Sequence, residues 1–258
     1  MLAEQRHGLI LALVTERGSM SVTELHRSLK VSRETIRRDI ALLATRNGLR
    51  RTHGGAVSVE TVEPSIALRQ ITNAAGKRAI GQRAASLIPD GASVIISSGT
   101  TTRCVAEALT ARRGLTVFTN DLVSCGKLVG RSGNRVFMLG GEVTVNGGAF
   151  GRDTTAMLSN YIADFAFIGA GAISSAPWLM DYSREEGELH SVILNSARTT
   201  AVVADHGKFN RLAPVRIKNF EKVHYLITDA MPDDETIEAL KSLSIELLIA
   251  TESPQVTR

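Results

Sequence analysis

The 258-residue chain has only two cysteines, one tryptophan and 4% aromatic residues. Cys104 and Cys125 are too few and too far apart for a metal cluster or a disulfide framework, so no metal or cofactor is expected and a reducing cytoplasm is the natural location. No run of 18 apolar residues occurs, which excludes a membrane-crossing helix. The first 18 residues hold a short apolar segment interrupted by Glu16 and Arg17, without the small-residue cleavage site of a signal peptide. There is no internal repeat, no low-complexity tract, and no His-Glu-x-x-His or Gly-x-Ser-x-Gly pattern. A core must therefore come from Val, Ile, Leu and Ala, within the 43% of residues that are apolar. That length suits one small and one medium domain.

What is present is concentrated first in residues 21–43. Ser21 followed by Glu24 is a capping box, and Leu25 and Leu29 share one helical face. Lys30-Val31-Ser32 interrupts that helix, and Ser32 can cap a second, in which Ile36, Ile40 and Leu43 fall at i, i+4 and i+7. Arg33, Thr35, Arg37 and Arg38 then point away from the buried stripe. This spacing predicts a helix-turn-helix whose second helix offers Arg and Thr to a major groove. The basic, glycine-broken ribbon that follows, with Arg50, Arg51 and His53 before Gly54-Gly55, predicts a wing near the phosphates. Ahead of the pair, Leu9, Ile10, Leu13 and Val14 supply the stripe of a supporting helix ended near Gly18.

Charge gives an independent argument. Residues 1–60 hold ten Lys/Arg against six Asp/Glu, while residues 61–258 hold 20 of each. The whole formal excess sits on the segment expected to meet a polyanion. A solvated basic helix in a small bundle explains neither the wing nor this asymmetry. A nucleoid-type architectural protein would not need a neutral second domain three times larger.

Residues 1–58 are thus expected to form a winged helix-turn-helix, 59–76 a linker with a short helix around 66–71, and 77–252 a second domain. From Lys77 onward, short apolar runs alternate with amphipathic helices. Strands are expected at 93–97, 115–119, 135–139, 164–170, 199–204, 223–228 and 245–249. This is an α/β fold with a mainly parallel sheet, which places ligands at the carboxyl ends of its strands.

Four segments lie at that end. Ser98-Gly99-Thr100-Thr101-Thr102 joins a strand to a helix N-terminus, with glycine for close backbone approach and hydroxyls and amides for an anion. It lacks the Gly-Lys-Ser/Thr ending of a Walker loop, and an ordinary Thr N-cap is the competing reading. Asn120 follows the next strand, and Gly141 and Glu142 the one after. Asp205 and Lys208 leave a later strand with opposite charges three positions apart, where a local ion pair is the competing reading. Taken together these segments favour a phosphorylated polyhydroxy ligand. Ser98 to Thr102 hold the phosphate, Lys208 and Lys77 supply countercharge, and Asn120 and Asp205 orient hydroxyls.

The chain resembles the DeoR family of bacterial transcriptional repressors over roughly residues 5–250. The resemblance rests on TIRRD at 35–39, LRRTHGGAV at 49–57, EPS at 63–65, KRAI at 77–80, SGTTT at 98–102, TN at 119–120, GGE at 140–142 and DHGKF at 205–209. Asp181-Tyr182 and the last of these are most similar to the branch that represses glycerol-3-phosphate regulons. The resemblance implies an effector domain similar to ribose-5-phosphate isomerase and the CoA transferases, sensing a phosphorylated sugar or polyol. It also implies an operator on double-stranded DNA and a homo-oligomer, dimer or tetramer, on repeated half-sites. Ser97 and His190 depart from the pattern, where members often carry Asp and Lys. An isomerase-like enzyme and an activator of the same class are the alternatives. Isomerisation needs a positioned carboxylate, and the comparable strand end, Gly169 to Ala172, has no titratable group; Glu186 and Asp205 are the nearest substitutes.

Overall fold

The structure is a computed structural model, described for residues 2–17, 19–45, 49–52, 54–58, 63–175 and 179–251. The N-terminal module runs α1 (Ala3–Arg17), β1 (Ser19–Ser21), α2 (Val22–Leu29), α3 (Arg33–Thr45), β2 (Leu49–Arg51) and β3 (Gly55–Ser58). The capping box forms as its spacing requires: Glu24 N donates to Ser21 Oγ at 3.1 Å and Ser21 N to the Glu24 carboxylate at 2.7 Å. Lys30 closes α2 in the left-handed conformation, with φ 55°. Ser32 Oγ then accepts from Thr35 N at 3.1 Å to start α3. Between them these caps set the tight turn.

Ile10, Val14, Leu25, Leu29, Ile36, Ile40 and Leu43 meet in one core with Met20, Leu49 and Ala56. Leu9, expected in the stripe, is instead 44% exposed, and Leu11 packs against the core in its place. The strand β1 was not anticipated. It pairs antiparallel with β3, which also pairs with β2, so the wing is the outer part of a three-stranded sheet anchored under α1.

Two helices lead into the second domain, α4 (Ile66–Ile71) and α5 (Ala74–Ser86). There follow β4 (Ser93–Ile96), α6 (Thr100–Ala108), β5 (Thr116–Thr119), α7 (Leu122–Leu128) and β6 (Arg135–Met138). Next come β7 (Glu142–Val143), β8 (Ala149–Phe150), α8 (Arg152–Leu158), β9 (Ala163–Ile168), β10 (Ala172–Ile173) and β11 (Leu179–Asp181). The chain ends with α9 (Arg184–Ile193), β12 (Ala197–Val203), β13 (Val215–Arg216), β14 (Tyr225–Thr228), α10 (Asp234–Ser242) and β15 (Glu246–Ile249).

All seven apolar runs read as strands join one sheet, in the order β15-β14-β12-β9-β4-β5-β6, and every pairing is parallel. Alternate residues of each strand serve two cores: Ile95, Ala166 and Val202 face one, Val94, Ile96, Phe167 and Ala201 the other. Three of the few aromatics, Phe118, Phe137 and Tyr161, stack within 4.5–5.9 Å. The short pairs β7–β8 and β10–β11–β13 were absent from the sequence reading. They are two or three residues long and carry no periodicity to detect. The chain runs outward from β4 to β6, then returns to place β9 on the other side of β4. Strand order therefore reverses between β4 and β9, and the loops after them diverge to leave a crevice.

Candidate functional sites: an exposed arginine helix and a pocket at the sheet reversal

On α3 the buried face is Ile36, Asp39, Ile40 and Leu43, and Arg33, Arg37 and Arg38 lie opposite it in solvent. Arg37 and Arg38 side chains are 60% and 81% exposed, each leaning on Glu34 at 3.9 and 3.3 Å. Such i,i+3 and i,i+4 pairs are weak enough to exchange for phosphate. Thr35 hydrogen bonds through its hydroxyl to Ser32 at 2.9 Å. Arg51 is exposed on β2 and Arg50 pairs with Val57 in the wing. His53 lies outside the described residues.

Asp39 was quoted only as part of a motif, yet it fixes α1 to α3. Its carboxylate accepts from Arg6 Nε at 2.6 Å and sits 2.8 Å from His7 Nε2. Burial pushes its pKa up, but the bonds from Arg6 and His7 outweigh that and hold it below the usual carboxylate range.

The pocket in the second domain is an open cleft between the β4 and β9 loops. Ser98, Gly99, Thr100, Thr101 and Thr102 form one wall. Gly99 sits at φ 147°, ψ 154°, which only glycine adopts readily, and offers no capping side chain. The amides of Gly99, Thr100, Thr101 and Thr102 consequently have no acceptor among the described residues. A row of unpaired amides at a helix start is suited to an anion. Thr102 Oγ1 spends its proton on Gly99 O at 2.9 Å, whereas the Thr100 and Thr101 hydroxyls are uncommitted. Lys208 lines the same pocket with no hydrogen bond or ion pair to its ammonium among the described residues. Burial drives its pKa down, with Glu63 and Asp205 opposing.

Lys77 was expected beside Lys208, and the structure corrects this. It is 3% exposed, donates to Arg69 O at 2.5 Å and Thr72 O at 2.9 Å, and sits 3.7 Å from the Asp205 carboxylate. It fastens the elbow between α4 and α5 and is not a wall of the pocket that Lys208 lines. Asp205 likewise answers Lys77 and caps its own turn through Gly207 N at 3.1 Å. Asn120 is 1% exposed; its Oδ1 accepts from Ser98 N at 2.8 Å and its Nδ2 donates to Ala149 O at 2.9 Å. It holds the cradle loop from behind. Gly141, at φ 136°, lies against Phe150 and Thr154, where a Cβ would collide, and is also outside the pocket walls. Ser97 Oγ accepts from Gly169 N at 3.4 Å, tying the two diverging loops.

Glu186 does line the pocket, together with Glu63, Arg69, Asp181 and His190. Glu63 and Asp181 stood inside quoted motifs, but nothing local showed that they converge. Asp181 accepts from Gly171 N at 3.0 Å and pairs with His190 Nδ1 at 2.6 Å. Burial lowers the His190 pKa, yet Asp181 outweighs it and the net shift is upward. Burial, with Asp181 and Glu63 nearby, pushes Glu186 up to about 7. The pocket thus joins an anion cradle and a free ammonium to three carboxylates able to accept from hydroxyls. Arg103, at its rim, is already committed to Asp121 at 2.7 Å and Asn146 O at 2.6 Å.

A winged helix joined to an α/β domain of this kind is the build of a DNA-binding regulator. The DeoR-like helix-turn-helix domain matches residues 6–62 and the DeoR C terminal sensor domain residues 72–230. The glycerol-3-phosphate regulon repressor of Haemophilus influenzae is 37% identical, covering 95% of this chain and 96% of its own. Its counterpart in Escherichia coli is 33% identical over 96% and 99%. The HTH-type transcriptional repressor GlcR of Bacillus subtilis is 30% identical over 96% and 97%. The chain belongs to the DeoR family of transcriptional repressors, and it is a DNA-binding regulator, not an enzyme. Ribose 5-phosphate isomerase A of Methanocaldococcus jannaschii superposes over 52% of this chain and 53% of its own with TM-score 0.36 and 17% identity, too loosely to argue from. No helix among the described residues is long and apolar enough to cross a membrane.

Proposed function

We propose that the protein represses a carbohydrate or polyol catabolic operon and is released from its operator by a phosphorylated sugar or polyol in the α6 pocket. Residues 1–58 bind DNA, 59–76 connect, and 77–252 sense. One winged helix reads only a few base pairs, so a dimer or tetramer on repeated half-sites supplies specificity. Ser32 and Thr35 set the start of α3. Arg33, Arg37 and Arg38 reach base edges and phosphates, and Arg50, Arg51 and His53 of the wing reach the backbone.

One observation carries the ligand reading: four unpaired amides at the start of α6 share a pocket with the uncommitted ammonium of Lys208. A phosphate satisfies both, and charge-assisted hydrogen bonds are about twice as strong as neutral ones. Asp181 and Glu186 take the hydroxyl-orienting role first given to Asn120 and Asp205. The names of the relatives, repressors of glycerol-3-phosphate regulons, agree in chemistry.

The test is a thermal-shift screen of three- to six-carbon sugar and polyol phosphates against the full chain. Each hit is then tried for release of DNA fragments that the wild type selects from genomic DNA. Lys208→Ala is expected to keep those fragments and lose release. A best ligand without phosphate, or normal release from Lys208→Ala, overturns the cradle. Target transcripts that fall in a deletion strain would make the protein an activator.

A further inference from the structure

The segment that leaves the wing is itself part of the pocket. Four residues separate Ser58, the end of β3, from Glu63, and Glu63, Ile66 and Arg69 line the pocket together with the cradle loop. Glu63 Oε1 pairs with Arg69 Nη1 at 2.6 Å, with side chains only 18% and 14% exposed. Arg69 Nε also donates to Pro64 O at 3.0 Å, so one guanidinium holds two consecutive residues of the incoming chain. Its own backbone is anchored: Lys77 grips the carbonyls of Arg69 and Thr72 and faces Asp205. The anchor belongs to the sensor domain, and what it holds is the strand of chain arriving from the DNA-binding module.

We propose that Glu63 is a built-in competitor for the ligand's anion, and that Arg69 exchanges Glu63 for the bound phosphate, releasing the linker. This rests on the phosphorylated-ligand reading given above. The exchange follows from charge. A phosphate in the cradle repels the Glu63 carboxylate and attracts Arg69, whose planar fork binds phosphate in two places at once. Glu63 is already poorly placed as an anion, since burial raises its pKa against the pull of Arg69 and Lys208. The docked linker is the DNA-competent state, and ligand binds the undocked state better, as any ligand that shifts an equilibrium must.

Two variants of the full chain separate this from simple structural support. With glycerol 3-phosphate and inorganic phosphate as calorimetric probes, Glu63→Gln is expected to bind more tightly and Arg69→Gln more weakly. Each shift should be roughly five- to tenfold, the low end of usual allosteric coupling. Both variants break the latch, so both should hold selected DNA fragments less tightly without any ligand. Probe affinities that move in the same direction, or undiminished DNA retention by Glu63→Gln, overturn the exchange. If Arg69→Gln melts early, Arg69→Lys is read instead and should fall between wild type and Glu63→Gln in DNA retention while binding the probes more weakly than wild type. Wild-type protein that binds neither probe nor any phosphate of the sugar and polyol screen would remove the phosphorylated ligand. Glu63→Gln would then still decide the latch: weakened DNA retention supports it and unchanged retention removes it.

Discussion

The two halves of the molecule use charge in opposite ways. In the winged helix the arginines stand in solvent, 60–81% exposed at Arg37 and Arg38, above an apolar core that does not need them. In the sensor domain the charged groups are buried together, and each must be answered by another or left costing stability. The first arrangement separates folding from recognition. The second couples them, because a group that waits for a ligand cannot also satisfy its neighbours. Lys77 and Lys208 mark the difference within one domain: one donates to two carbonyls and faces a carboxylate, and the other has no partner among the described residues.

The separation in the first half is broken most severely by removing its exposed charge. Arg37→Ala with Arg38→Ala should weaken retention of selected DNA at matched salt, each lost base contact costing about 1–3 kcal/mol. The melting temperature should not move by more than the small change typical of surface substitutions. Wild-type retention would end the groove assignment.

The comparison of the two lysines comes next in size. Lys77→Ala takes the ammonium away from the Arg69 and Thr72 carbonyls and from the buried Asp205 carboxylate, and should cost about 2–4 kcal/mol in chemical denaturation. Lys208→Met should go the other way, stabilising the ligand-free protein by about 1 kcal/mol by removing a half-buried ammonium that has no partner among the described residues. Destabilisation by both would show that Lys208 has a structural partner.

The exception in the first half is Asp39, a buried charge doing structural service. Asp39→Asn should lower stability by about 2 kcal/mol at neutral pH through its bonds to Arg6 and His7. Because the folded pKa is depressed, this contribution is present above the unfolded carboxylate pKa and is lost as pH falls through the folded one. The mutant and wild type should therefore converge in acid melting curves.

A pH-dependent effect sharpens the contrast in the second half. Glu186 has its pKa raised from 4.5 to about 7 in the folded protein. The native state keeps a proton that the unfolded chain has lost, so stability is full below the lower value and declines as pH rises towards the upper. Glu186→Gln should remove that decline, giving about 1–2 kcal/mol at pH 8 and little at pH 4. A pH-independent difference would mean the carboxyl titrates normally. Burial sets most of that shift, with Asp181, Glu63, His190 and Arg69 of the same pocket adding to it or opposing it.

The recognition helix was legible because its signals are local. A capping box, a turn and an i, i+4, i+7 stripe each lie within a few residues, and what the stripe leaves over must face water. The seven strands were legible for the same reason, as apolar runs of a fixed short length. The strand β1 and the pairs β7–β8 and β10–β11–β13 were not, since two or three residues carry no period.

The chain's sequence by itself determined the family, the winged helix, the parallel sheet and the loop at Ser98–Thr102, because each depends on residues adjacent in the chain. Only the tertiary structure decided which charges serve the fold and which wait for a ligand. That Lys77 binds the carbonyls of the α4–α5 elbow, that Asn120 braces the cradle, and that Glu63 and Arg69 enter a pocket with Lys208 are facts about distance. A buried charge is defined by what lies within about 4 Å of it, and Lys77 and Asp205, 3.7 Å apart, are separated by 128 positions in sequence.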